Sequence, residues 1–115
     1  MTAPQKPAPP HPLPSVRRLP GFERDMRRLL KRYGTLEEDL STFTSATLRL
    51  LASGEYPPEP LGLFPVRGKE VSGKGFYVAK KFACRSLKGT GVNSGIRVVL
   101  QWLPETDEVC LVEIY

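Results

Sequence analysis

Apolar positions recur along the chain with two different periods. Phe22, Met26, Leu29, Leu30 and Tyr33 fall at i, i+4, i+7, i+8 and i+11, one face of an amphipathic helix. Arg24, Arg27, Arg28, Lys31 and Arg32 occupy its other face. The spacing predicts a helix over 22–33, closed by Gly34 as a left-handed residue. A second helix is predicted over 35–52. Thr35 and Glu38 have capping-box spacing, and Glu37, Glu38 and Asp39 suit the positive end of a helix. Leu36, Leu40, Phe43, Leu50 and Leu51 supply its stripe, with Gly54 behind. The link is so short that the two helices must form an antiparallel hairpin.

Beyond residue 75 the period becomes two. Segments 76–87, 95–103 and 108–115 read as strands, and Pro104, Glu105, Thr106 and Asp107 turn the last two into a hairpin. Residues 55–65, with Pro57, Pro58, Pro60 and Pro65, read as a loop, as does the Gly- and Lys-rich stretch 68–75. The expected class is α+β, an N-terminal antiparallel two-helix hairpin packed on a three- to four-stranded antiparallel sheet. Strand parity assigns Phe76, Val78, Phe82, Cys84, Ile96, Val98, Leu100, Trp102, Cys110, Val112 and Ile114 to the helix side, with Lys80 as the odd member. The open face then shows Lys81, Arg85, Arg97, Gln101, Glu113 and Tyr115 together, provided that no bulge intervenes.

Seven of the twelve prolines lie in the first twenty residues. Proline lacks an amide donor and pins φ, so this stretch should be neither helix nor inner strand. Residues 1–20 are expected to be a flexible tail, draped on the domain through Leu13 and Val16, and residues 21–115 the folded domain. No apolar run has the length of a membrane span and no signal-peptide core opens the chain, which predicts a cytoplasmic protein with no membrane partner.

Charge narrows the partner. The net charge of +5 in 115 residues favours an anionic ligand. It is also segregated. Residues 66–103 hold eight bases (Arg67, Lys69, Lys74, Lys80, Lys81, Arg85, Lys88, Arg97) and one acid, Glu70, while residues 104–115 hold four acids and no base. Arg97 sits among Ile96, Val98 and Val99, so its guanidinium must reach solvent, a carboxylate or a phosphate.

The rare residues exclude chemistry. One histidine, His11, and two cysteines, Cys84 and Cys110, cannot build a structural zinc site, and a Ser-His-Asp triad would need its histidine from the tail. The cysteines read as reduced core residues. Acid–base work would fall to Lys, Arg, Tyr, Asp or Glu, to a metal held by carboxylates, or to the substrate itself. Gly68, Gly73 and Lys74 imitate a phosphate-binding loop, but Gly75 stands where Ser or Thr should hold magnesium. Gly89 and Gly91 precede a strand rather than a helix, so residues 88–95 read as a connector whose amides could approach a phosphate.

The chain resembles the RelE/ParE superfamily of bacterial toxins, in the branch near RelE and HigB. The carrying residues are the run 22–33, Leu36 to Asp39, the stretch 85–98 with its Lys-Gly-x-Gly loop and Gly-x-Arg-Val, and the final Glu113-Ile114-Tyr115. The resemblance implies a type II toxin with a cognate antitoxin, acting on mRNA at the ribosome as an endonuclease without cofactor or metal. In that chemistry the RNA 2′-hydroxyl is the nucleophile. The resemblance matches Arg97 to the family's active-site strand arginine, Lys81 and Arg85 approximately to its basic first strand and Lys88 to its loop lysine. Together with strand parity and the segregated charge, this makes Arg97, Lys81, Arg85 and Tyr115 the expected catalytic residues, and Lys80, Lys88, Lys74 and Gln101 the expected RNA contacts. Two alternatives stand beside it: a ParE-like gyrase poison, or an inactive member that binds only an antitoxin or nucleic acid. Leu100 departs from the family pattern, which often has tyrosine at that place in the strand.

Overall fold

A computed structural model describes residues 12–66 and 75–115. Proline opens rather than prevents the first helix. β1 (Ser15–Arg18) leads into α1 (Pro20–Leu30), with Pro20 in its first turn, where the missing amide would have had no partner. α1 ends on Lys31 in right-handed conformation, so Gly34 does not cap it.

The second helical rod is interrupted. It comprises α2 (Leu36–Phe43), a π-helical turn (Thr44–Leu48) and α3 (Arg49–Ser53), and Gly54 ends it in left-handed conformation at φ 73°. The widened turn follows a run of hydroxyls: Thr42, Thr44 and Ser45 donate to the carbonyls of Glu38, Leu40 and Ser41. Hydroxyls bonded four residues back compete for the carbonyls of the helix ladder and bend it. The expected capping box does not form. Thr35 Oγ1 donates to Asp39 Oδ2 at 2.7 Å and accepts from Ser86 N–H, while Glu38 reaches Arg85.

A short 3₁₀ turn (Glu59–Leu61) precedes β2 (Leu63–Pro65), so the expected loop over 55–65 contains an edge strand. β3 (Phe76–Ala79), β4 (Val98–Leu103) and β5 (Glu108–Ile114) complete a five-stranded sheet in the order β1-β5-β4-β3-β2. β1 pairs parallel to β5 and the other pairs are antiparallel. Two expectations are corrected here. The described sheet has five strands, one pair of them parallel. Ser15–Arg18 is a hydrogen-bonded edge strand rather than flexible tail, a place that tolerates neighbouring prolines; residues 1–11 lie outside the described residues.

Both helical rods cover one face of the sheet. Phe22, Met26, Leu36, Leu40 and Leu48 bury against Val98, Leu100, Val109, Leu111 and Ile114. The Phe43 and Phe82 rings meet at 5.4 Å between centroids. Full burial of each large side chain contributes roughly 1.5–3 kcal/mol.

Parity breaks in two strands. In β5, Glu113 faces Val99 while Leu111 faces Leu100, leaving Val112 as an extra residue. A bulge of this kind inverts the faces on either side of it. Val109 and Leu111 therefore point inward together with Ile114, and the expected inward Cys110 and Val112 do not belong to that row. The first expected strand stops at Ala79. Tyr77 and Ala79 pair with the inward Leu100 and Val98, which sends Phe76 and Val78 to the open face. Phe82 and Cys84 return to the core beyond the strand.

Gly75 holds the start of β3 tight against β4. Its φ is 86°, and an added Cβ would lie 2.3 Å from the Trp102 carbonyl oxygen. Gly75→Ala is expected to destabilise the fold by about 2 kcal/mol and lower the calorimetric Tm by about 10 °C. An unchanged Tm would show that the strand end can move aside.

Candidate nucleic-acid interface

The sheet face opposite the helices carries a mixed apolar and basic surface. Register places Phe76, Gln101, Cys110 and Arg17 in one row across it, and Phe64, Val78, Val99 and Glu113 in the next. Lys80 stands over the Phe64 ring at 4.8 Å from its centroid, which puts it on this face also. At the far end Arg97 and Tyr115 exchange both backbone hydrogen bonds, at 2.7 and 3.0 Å, so their side chains share a face.

Arg97 is half-buried, and its Nη1 is enclosed without a hydrogen-bond partner. A guanidinium in that state retains unused donor capacity. Tyr115 beside it is exposed, as is Glu113. Lys80, Arg97, Gln101, Glu113 and Tyr115 thus belong to one surface, floored by Phe64, Phe76, Val78 and Val99.

The other expected residues go elsewhere. Lys81 lies at the helix flank, bordering a cavity of about 160 Å³ with Asp39, Thr42, Phe43, Ala46 and Thr47. Its stem packs on Gly62, where a Cβ would come within 2.8 Å. Arg85 is also drawn to the helices. Its Nε donates to Asp39 Oδ1 at 3.3 Å and its Nη2 pairs with Glu38. The Asp39 and Glu38 carboxylates push the Arg85 guanidinium further up. Lys88 is exposed in a separate cleft with Ala83, Cys84, Leu87 and Gly91. Lys74 lies outside the described residues.

The physical reason for this separation is the end of β3 at Ala79. Alternation no longer governs residues 80–87, so Lys81 and Arg85 cannot be assigned by counting from Phe76. The same break hid Phe76, while Phe64 was hidden for another reason. Phe64 lies in a proline-rich stretch that carries no period-two signal. Phe76 was expected inward because it shares parity with Phe82.

No protein-family profile matches the sequence, and no curated protein matches it. Solved structures do match in three dimensions. The fold is shared with a chain of the RelBE2 toxin–antitoxin complex from Mycobacterium tuberculosis. The TM-score is 0.53 at 18% identity, over 88% of this chain and 94% of that one. The likeness to the RelBE2 chain spans most of both chains and bears on the fold. Among the described residues no helix is long and apolar enough to cross a membrane.

Proposed function

We propose that this protein is the toxin of a type II toxin–antitoxin pair, and that it cleaves mRNA at the ribosome. The observation that carries the reading is Arg97, a half-buried guanidinium paired with Tyr115 on the open face of a fold shared with a RelBE2 chain. Phosphate oxygens fit such a guanidinium, because it stays protonated and offers donors in a planar fork.

The RNA supplies its own nucleophile. Its 2′-oxygen bonds to the adjacent phosphorus, the bond to the 5′-oxygen breaks, and that oxygen leaves with a proton. A 2′,3′-cyclic phosphate and a 5′-hydroxyl end result. Arg97 stabilises the charge that gathers on the phosphoryl oxygens. Lys80 holds the backbone, and Phe64 and Phe76 offer rings on which bases can stack. Tyr115 or Glu113 moves the proton, since no histidine lies in residues 12–115. Lys81, Arg85 and Lys88 stand apart from this face and act as a separate basic flank.

The partner follows from charge. An antitoxin must cover the open face or displace an element beside it, and an acidic segment that folds on binding suits that task. The target, mRNA on the ribosome, places the protein in the cytoplasm.

The test is primer extension on a message in a reconstituted translation system, with and without ribosomes. Cleavage is expected only when ribosomes are present. Equal cleavage of naked RNA removes the ribosome from the mechanism. No cleavage in either case, with DNA supercoiling inhibited instead, establishes a gyrase poison.

A further inference from the structure

The basic face of α1 makes no contribution to the core, yet it adjoins the open face. Arg24, Arg27, Arg28 and Lys31 are all exposed. At 100° and 1.5 Å per residue they form one stripe about 10 Å long. The acids of α1 lie to either side and are engaged. Glu23 is 3.9 Å from Arg18, and Asp25 Oδ1 is 3.5 Å from Arg28 Nη2. Asp25 Oδ2 also accepts from Ile114 N–H at 3.2 Å.

That last bond fixes where the stripe lies. β1 pairs with β5 only as far as Leu111, and the Leu19 N–H donates to the Leu111 carbonyl before the chain turns into α1. α1 therefore runs along the half of β5 that β1 leaves free. Between them is a groove of about 440 Å³ lined by Gly21, Arg24, Asp25, Arg28, Val112 and Glu113. The groove lies beside the bulge at Val112 and Gly21, where a Cβ would stand in ordinary contact with the Val112 carbonyl oxygen at 3.7 Å. Glu113 pairs with Val99 on the open face, next to Arg97 and Tyr115. The groove and the face meet at that residue.

We propose that the groove and the α1 stripe form a second binding track, which takes the phosphodiester backbone of the message beyond the cleaved codon. The inference rests on the endonuclease reading above. Three of the four cations are arginines, whose forked donors match phosphate oxygens. The stripe spans about three nucleotides of a stacked strand at ~3.4 Å each. Its continuity with Arg97 through Glu113 favours a strand already seated on the open face over an acidic peptide docked separately.

The test compares two messages on programmed ribosomes, one ending at the cleaved codon and one continuing a dozen nucleotides further. The full chain is assayed as wild type, as Arg24→Glu with Arg28→Glu, and as Arg24→Lys with Arg28→Lys, each checked for folding by its melting curve. The double glutamate variant is expected to raise KM about tenfold on the long message only, with kcat kept. Its slope of log KM against log salt should fall by about 1.4, near 0.7 for each lost contact. The double lysine variant should retain most of the wild-type KM. An equal penalty on both messages, no penalty, or loss of the antitoxin complex in place of a KM effect overturns the track. If the wild type fails to cleave, the endonuclease reading falls by itself. Co-sedimentation with the same two programmed ribosomes then decides the track, and affinity independent of message length overturns it.

Discussion

Replacing Arg97 with alanine is expected to lower kcat for ribosome-dependent cleavage by about 10²–10³ and to abolish growth arrest. That is the usual loss when one preorganised charge-stabilising group is removed, near 2.7–4 kcal/mol of barrier. KM should change little if the guanidinium acts mainly on charge that develops in the transition state. The fold should survive, because Arg97 is tied to Tyr115 through backbone atoms that alanine keeps. Arg97→Lys should fall between the two, since it restores the charge without the planar fork. Stopped-time primer extension measures the rates, and co-purification with the antitoxin checks the fold. A variant that cleaves as fast as wild type would remove Arg97 from the chemistry.

The second large effect concerns stability. Asp39 is 4% exposed and organises the contact between α2 and residues 84–86. Its Oδ2 accepts from Thr35 Oγ1 at 2.7 Å and from Arg85 N–H at 3.2 Å, and its Oδ1 from Arg85 Nε at 3.3 Å. Burial pushes the Asp39 carboxyl up. Hydrogen bonds from the Thr35 hydroxyl, the Arg85 backbone, the Cys84 thiol and the Arg85 side chain outweigh it and hold the group below its ordinary value. Asp39→Ala leaves the Arg85 amide and the Thr35 hydroxyl without that acceptor. The expected cost is about 3 kcal/mol in urea unfolding. A loss below about 0.5 kcal/mol would mean that water replaces the carboxylate at that contact.

The sign of the pH dependence follows from the same shift. A carboxyl depressed in the folded state binds its proton more tightly when unfolded. Its contribution is complete above the unfolded value of about 3.9 and is lost as pH falls through the folded value. Glu37 is held low by its hydrogen bonds to Arg18 and acts in the same direction. Wild-type stability should therefore decline below about pH 4, and Asp39→Ala should decline less.

Much of the fold was legible because helices and hairpins are local. The stripe from Phe22 to Tyr33 and the hydroxyl-rich rod behind Thr35 carry their own periodicity. Pro104 to Asp107 can scarcely be anything but a turn, and Asp107 adopts φ 51° there. Arg97 and Tyr115 were placed correctly because β4 keeps its alternation and the slip in β5 occurs before Glu113. Cys110 was misplaced because it precedes that slip, and Val112 because it is the extra residue of the bulge.

What the amino-acid order determined by itself is the class of fold, the helix–sheet amphipathicity, the basic character of the surface and the solitary arginine beside an apolar strand. These depend on residue type and on neighbours a few positions away. The tertiary structure alone decided that Ser15–Arg18 joins the sheet in parallel, that Arg85 turns to Asp39 while Lys80 turns to Phe64, and that α1 lays its arginines along the open edge of β5. Each of those depends on a pairing between residues far apart in the chain. A single unpaired residue or an early strand end reverses which face a side chain occupies, and local periodicity carries no record of either.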